Sequence, residues 1–123
     1  MPKIRRFEDL QSWKKARQLA NAIYDLTCHP EFAKNFKLRD QIQDAAGSTM
    51  HNIAEGFDSG SDAEFIRFLK MARRSASEVQ SQLYLALDRK YIKEDELKIS
   101  YDMATEVKRL INGLISYLRK DHS

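Results

Sequence analysis

SDAEFIRFLKMARRSASEVQSQLYLALDRK, residues 61–90, decides the fold. Phe65, Leu69, Ala72, Ala76, Val79, Leu83 and Leu87 recur at three- and four-residue steps, and Phe68 and Ala86 widen the stripe. That spacing lays one apolar band along a helix; a strand would alternate its faces at every residue. Ser61, three residues before Glu64, is the pattern of a capping box, so a helix is expected over about 62–90. At 1.5 Å per residue it is roughly 40 Å long.

The same periodicity extends outward on both sides. Upstream, Asp58-Ser59-Gly60-Ser61-Asp62 is turn chemistry. A second helix is expected before it, over about 38–55, with Leu38, Ile42, Ala45, Ala46, Thr49 and Ile53 on one side. Gly56 is expected to stop that helix in the left-handed conformation. A first helix is expected over about 9–27, with Asp9 as its cap and Leu10, Trp13, Ala16, Ala20, Ile23, Tyr24 and Thr27 in its stripe. His29-Pro30 ends it, because a residue before proline is pushed out of the helical region. Residues 28–37 then read as a loop that tucks Phe32 or Phe36 against the bundle. Downstream, Tyr91-Ile92-Lys93 connects to a last helix over about 94–119. Its first turn holds Glu94, Asp95 and Glu96, where the helix dipole favours negative charge. Leu97, Tyr101, Ala104, Val107, Ile111, Leu114, Ile115 and Leu118 carry its stripe. No segment sustains a period of two. The expectation is all-α: an antiparallel, up-down-up-down four-helix bundle occupying 1–123 as a single domain.

Composition agrees and narrows the function. With 123 residues, 42% hydrophobic and 32% charged, the chain is neither disordered nor low-complexity. One cysteine excludes a disulfide framework and any zinc site built on cysteine pairs. The longest apolar run, Leu83 to Leu87, falls far short of the roughly 20 residues of a membrane span. No basic-then-apolar leader opens the sequence, so a cytoplasmic protein is expected. The net charge of +3 is unevenly spread: +4 over 1–20, −3 over 21–60, +3 over 61–93 and −1 over 94–123.

Few residues offer catalytic chemistry. None of the four glycines stands in a phosphate-loop context, and no Glu-x-x-His occurs. His51 and Glu55 are four apart, as are Asp25 and His29, which falls short of a metal set. Cys28 has no base and orienting group at catalytic spacing. A non-enzymatic protein without metal or cofactor is expected.

Charge offers more. On the helix beginning near 62, Arg67, Lys70 and Arg74 lie within about 60° of one another, opposite the apolar stripe. Lys14 and Lys15, preceded by Lys3, Arg5 and Arg6, form a second basic cluster. Such clusters bind nucleic acid by neutralising phosphates and releasing counterions, though most charge runs are simply solvated helix faces. No surface aromatics are read as interleaved with them, so binding is expected to be phosphate-led. The last helix has an apolar arc of roughly 200°, because Ile99, Met103, Leu110 and Tyr117 flank its core stripe; Leu19 and Leu26 broaden the first helix. The extra faces suit a subunit interface, and the other reading is a generously buried helix.

The stretch Asn52-Ile53-Ala54-Glu55-Gly56-Phe57, followed by Glu64-Phe65-Ile66-Arg67-Phe68-Leu69, resembles the 23S ribosomal RNA intervening sequence family. Phe7-Glu8-Asp9-Leu10, Trp13, Ala16-Arg17, Leu38, Gln41, Ala45-Ala46, Ser48, Glu78, Gln82-Leu83 and Asn112-Gly113-Leu114-Ile115 fit the same pattern, so the likeness covers about 7–118. It implies a bacterial four-helix bundle assembled into a ring, typically a homopentamer, with no established catalysis. A related bundle that works beside the reverse transcriptase of diversity-generating retroelements binds nucleic acid, which makes RNA association an inference by analogy. The chain departs from the pattern at Met50, where the family often has proline, so the second helix should run without a kink. Gln43-Asp44 and Asp58-Ser59-Gly60 also stand where members often carry basic residues. Asn52, Glu55 and Gly56 then admit two roles. In the first, Glu55 accepts amides at the start of the next helix or pairs with Arg67, while Gly56 makes the turn. In the second, a ring of Asn52 and Glu55 lines a small-ligand or ion site.

Two functions remain open at this point. One is an oligomeric bundle contacting RNA or a ribonucleoprotein through its basic surfaces. The other is a protein-interaction scaffold whose basic residues serve solubility.

Overall fold

The computed structural model describes residues 4–120. A 3-10 turn, Phe7–Asp9, leads into α1 (Gln11–Leu26) and the short α2 (Pro30–Lys34). Three long helices follow: α3 (Phe36–Phe57), α4 (Asp62–Asp88) and α5 (Glu94–Lys120). No strand occurs among the described residues. The four long helices are those the apolar stripes predict, and they close a square in which α1 and α4 each pack on both α3 and α5.

Neighbours run in opposite directions. On the α4/α5 seam, Arg73 meets Asn112, Ser77 meets Lys108, Gln80 meets Thr105 and Tyr84 meets Tyr101. Each step forward on α4 is an equal step back on α5. Gly56, near the end of α3, lies against Phe65 and Phe68 at the start of α4. Thr27, just past α1, accepts a hydrogen bond from Gln43 in the first half of α3, and His29 meets Glu96 in the first turn of α5.

The stripes converge on one core. Leu19, Ile23, Ile42, Ile53, Leu69, Val79, Leu83, Val107 and Ile111 are fully buried, and each such side chain contributes about 1.5–3 kcal/mol by leaving water. Ala16, Ala46, Ala72, Ala76 and Ala104 fill the positions between them, which lets the helices approach closely.

Both connections at one end of the square are tied together. Phe32 of α2 is buried and stacks on Tyr91, with ring centroids 5.3 Å apart. Asn35 donates to the Tyr91 hydroxyl at 3.1 Å and accepts the Leu38 amide at 3.1 Å. That second bond caps α3 and explains why the helix starts at Phe36 rather than Leu38. The expected loop over 28–37 therefore holds α2, which Pro30 opens from its first position. Of its two phenylalanines Phe32 is the anchor, while Phe36 is 65% exposed.

Three local expectations are corrected. Asp9 does not cap α1: it lies in the 3-10 turn, where its carboxylate accepts the Arg6 amide at 3.3 Å. Gly56 is not a left-handed stop, because α3 continues to Phe57 and positive φ among the described residues is confined to Gly60 and Lys90. A Cβ there would stand 2.7 Å from the Phe68 Cβ, so this glycine serves a close helix approach. Ser61 accepts the Glu64 amide as expected, but the Glu64 carboxylate turns to Arg67 instead of closing the box. Met50 leaves α3 unbroken.

Candidate nucleic-acid interface

The first half of α4 carries Arg67, Lys70, Arg73 and Arg74, and they do not act alike. Arg67 is taken up by its own helix. Its Nε donates to both Glu64 oxygens, at 2.9 and 3.1 Å, its Nη2 donates to Oε2 at 3.0 Å, and its guanidinium covers the Phe68 ring at 4.6 Å. These hydrogen bonds hold Glu64 below the usual carboxylate range and push Arg67 up. A surface pair of this kind adds little stability, yet it leaves Arg67 with its charge neutralised. Arg67, expected on the basic face with Lys70 and Arg74, is thus engaged by Glu64.

Lys70 and Arg74 instead join two residues that sequence reading missed. Arg73 and Lys108, from α4 and α5, are half-buried and line a groove of about 410 Å³ with Lys70, Arg74, Ser77 and Asn112. Arg73 Nη1 donates to Asn112 Oδ1 at 2.7 Å, and Lys108 Nζ donates to Ser77 Oγ at 3.2 Å. Both cationic heads are thereby aimed along the seam by neutral partners. No carboxylate among the described residues pairs with any of the four cations, and the groove brings them together. Like charges gathered without counter-ions repel, so the groove is a region of positive potential that an anion relieves.

The N-terminal cluster is different in kind. Lys3 lies outside the described residues. Lys14 and Lys15, being consecutive, point about 100° apart. Lys14 stands with Glu8, and Lys15 faces α5, where it helps hold Glu106 low beside Arg109. Lys14 shares its groove with Arg17 and Glu8 while Lys15 lies by α5, so the two lysines do not face one surface.

The residues of the resembling motif tie α3 to α4. Asn52 donates to the Ser48 carbonyl and hydroxyl, both at 2.9 Å, and Ser48 bonds Ser75 of α4 at 3.0 Å. Ile53 is fully buried and Ala54 half-buried. Glu55 is exposed and does not pair with Arg67, which Glu64 holds. Among the described residues no group of three or more His, Cys, Asp and Glu is placed to hold a metal ion.

The six residues assigned to an oligomer face divide. Leu19 and Leu26 are corrected: at 0% and 8% exposure they belong to the bundle's own core, packed with its other buried side chains. Ile99 is 59% and Tyr117 37% exposed, with Met103 and Leu110 half-buried on the same side of α5. Leu110 and Tyr117, with Ile4, Leu10, Gly113 and Leu114, line an apolar groove of about 630 Å³ beside the start of α1. This face lies on the opposite flank of α5 from the cationic groove. No described helix is long and apolar enough to cross a membrane.

Residues 8–113 match the family described as 23S rRNA-intervening sequence protein. Among solved structures, a protein of unknown function from the S23 ribosomal protein family of Bacteroides thetaiotaomicron has a similar fold, with a TM-score of 0.78 and 26% identity. The likeness covers 85% of this chain and 95% of that one. No curated protein matches.

Proposed function

The chain belongs to the 23S rRNA-intervening sequence protein family, and from that premise we propose that it is a non-enzymatic, homo-oligomeric bundle that binds RNA, free or in a ribonucleoprotein, through the groove between α4 and α5. The observation that carries this reading is the gathering of Lys70, Arg73, Arg74 and Lys108 around one groove without a carboxylate partner. Half-burial of Arg73 and Lys108 separates the groove from an ordinary solvated face, where flexible cations stand apart in water. Arginine adds a forked geometry that suits phosphate oxygens. Binding of this kind is phosphate-led, and a ring of subunits would repeat the groove around its axis.

Fluorescence anisotropy with a structured RNA across a salt series tests the proposal. Each phosphate contact contributes about −0.7 to −0.9 to the slope of log affinity against log salt. Arg73→Gln combined with Lys108→Gln should flatten that slope by about 1.4–1.8. Absence of binding at low salt would overturn the reading. It would leave the second one, a protein-interaction scaffold, which the exposed apolar flank of α5 favours.

A further inference from the structure

The seam that holds the cationic groove continues past it to an aromatic pair. Tyr84 lies seven residues beyond Ser77 on the same flank of α4, two turns or roughly 10 Å along the axis. The residue is 50% exposed. Tyr101 of α5 supports it edge-on, with centroids 5.8 Å apart and planes at 71°. Between groove and aromatic pair, Gln80 donates to the Tyr101 carbonyl at 3.2 Å and to Thr105 Oγ1 at 2.9 Å. These bonds fix the α4/α5 register, and Tyr84 is held against Tyr101 while half of it stays exposed. The expectation that no surface aromatic accompanies the basic residues is therefore corrected. The stretch Gln82-Leu83-Tyr84-Leu85 hid it, because a tyrosine inside an apolar run reads as core.

We propose that the α4/α5 seam holds a single strand of nucleic acid, with phosphates against Lys70, Arg73, Arg74 and Lys108 and a base stacked on Tyr84. The inference rests on the reading of the groove as a phosphate site and names the form of its ligand. A positively charged track with an aromatic platform beside it is how proteins hold unpaired strands, since every base has a face to stack. A duplex keeps those faces inside its own stack and offers only phosphates and groove edges, so Tyr84 would have nothing to meet. An acidic peptide would satisfy the cations but leaves the tyrosine equally idle. With its phosphates against the groove, the strand reaches Tyr84 with a base.

The test uses the full chain and anisotropy with three labelled probes. These are an oligouridylate of about 12 nucleotides, within the usual range of single-strand sites, an abasic phosphodiester strand of equal length, and an RNA duplex. Tyr84→Ala should weaken oligouridylate binding by about 5- to 150-fold, the range expected for loss of one stacked base. It should leave the abasic strand and the salt slope unchanged, and Tyr84→Phe should bind as the parent does. Circular dichroism on each variant confirms the helical fold. Equal affinity of Tyr84→Ala and the parent for oligouridylate would overturn the inference, as would equal parent affinity for the oligouridylate and abasic strands. Displacement by oligoglutamate as effective as by oligouridylate would also overturn it, in favour of an acidic peptide. If the abasic strand still binds through Arg73 and Lys108, the phosphate site survives without the stacked base. If no probe binds, both fall.

Discussion

A methyl group on Gly56 would stand 2.7 Å from the Phe68 Cβ and 2.9 Å from Phe65 Cδ1. Neither atom can yield, since Phe65 is buried and the Phe68 Cβ is fixed to its helix. Gly56→Ala should therefore lose about 1–3 kcal/mol by overpacking, despite alanine's better helix propensity. Urea denaturation reads the outcome, and a stabilised variant would contradict the close-approach role. A glycine near a helix end reads as a stop, because sequence shows backbone freedom and hides the neighbour that needs the space. Arg67 misled in the opposite way. Its partner Glu64 was visible three residues earlier, yet counting positive charges on a face ignores which of them are already paired.

At the scale of elements, the start of α5 is pinned to both connections at its end of the bundle. Glu96 accepts the Lys93 amide at 2.9 Å and meets His29 at 2.7 Å. The backbone hydrogen bond from Lys93, and then His29, hold its carboxyl below the ordinary 4.5. A lowered carboxylate contributes stability above its unfolded value and loses it as pH falls through the folded one. Glu96→Gln should therefore be less stable by about 0.3–1 kcal/mol at neutral pH, with the gap closing at an acid pH below the ordinary carboxylate range. Denaturation at both pH values checks this, and a gap independent of pH would contradict it. The acidic first turn of α5 was legible, but its link to His29 spans 67 residues and needs the bundle's register. Arg73 and Lys108 were missed for the same reason. Each looks isolated until α4 and α5 are laid antiparallel with Ser77 opposite Lys108.

For the whole molecule, the four apolar stripes and the turn residues between them specified which helices form and that they bury one core. Surface function was less legible, because periodicity sorts residues into faces without saying which faces meet. Leu19 and Leu26 widened one stripe and proved to be core. Ile99, Met103, Leu110 and Tyr117 remain on the outer flank of α5, and they are the surface through which we propose subunits associate into a ring, five-membered as the family resemblance implies. Met103→Glu with Leu110→Glu should lower the mass seen by light scattering, and an unchanged mass would contradict that assignment. Association there leaves the α4/α5 seam open on the other flank. The central claim is that this seam, and no other basic surface, takes nucleic acid. The most direct measurement compares the salt dependence of RNA binding for Arg73→Gln/Lys108→Gln with that for Lys14→Gln/Lys15→Gln. The account predicts a slope flattened by about 1.4–1.8 in the first and unchanged in the second. Equal flattening in both, or flattening in the second alone, would contradict it.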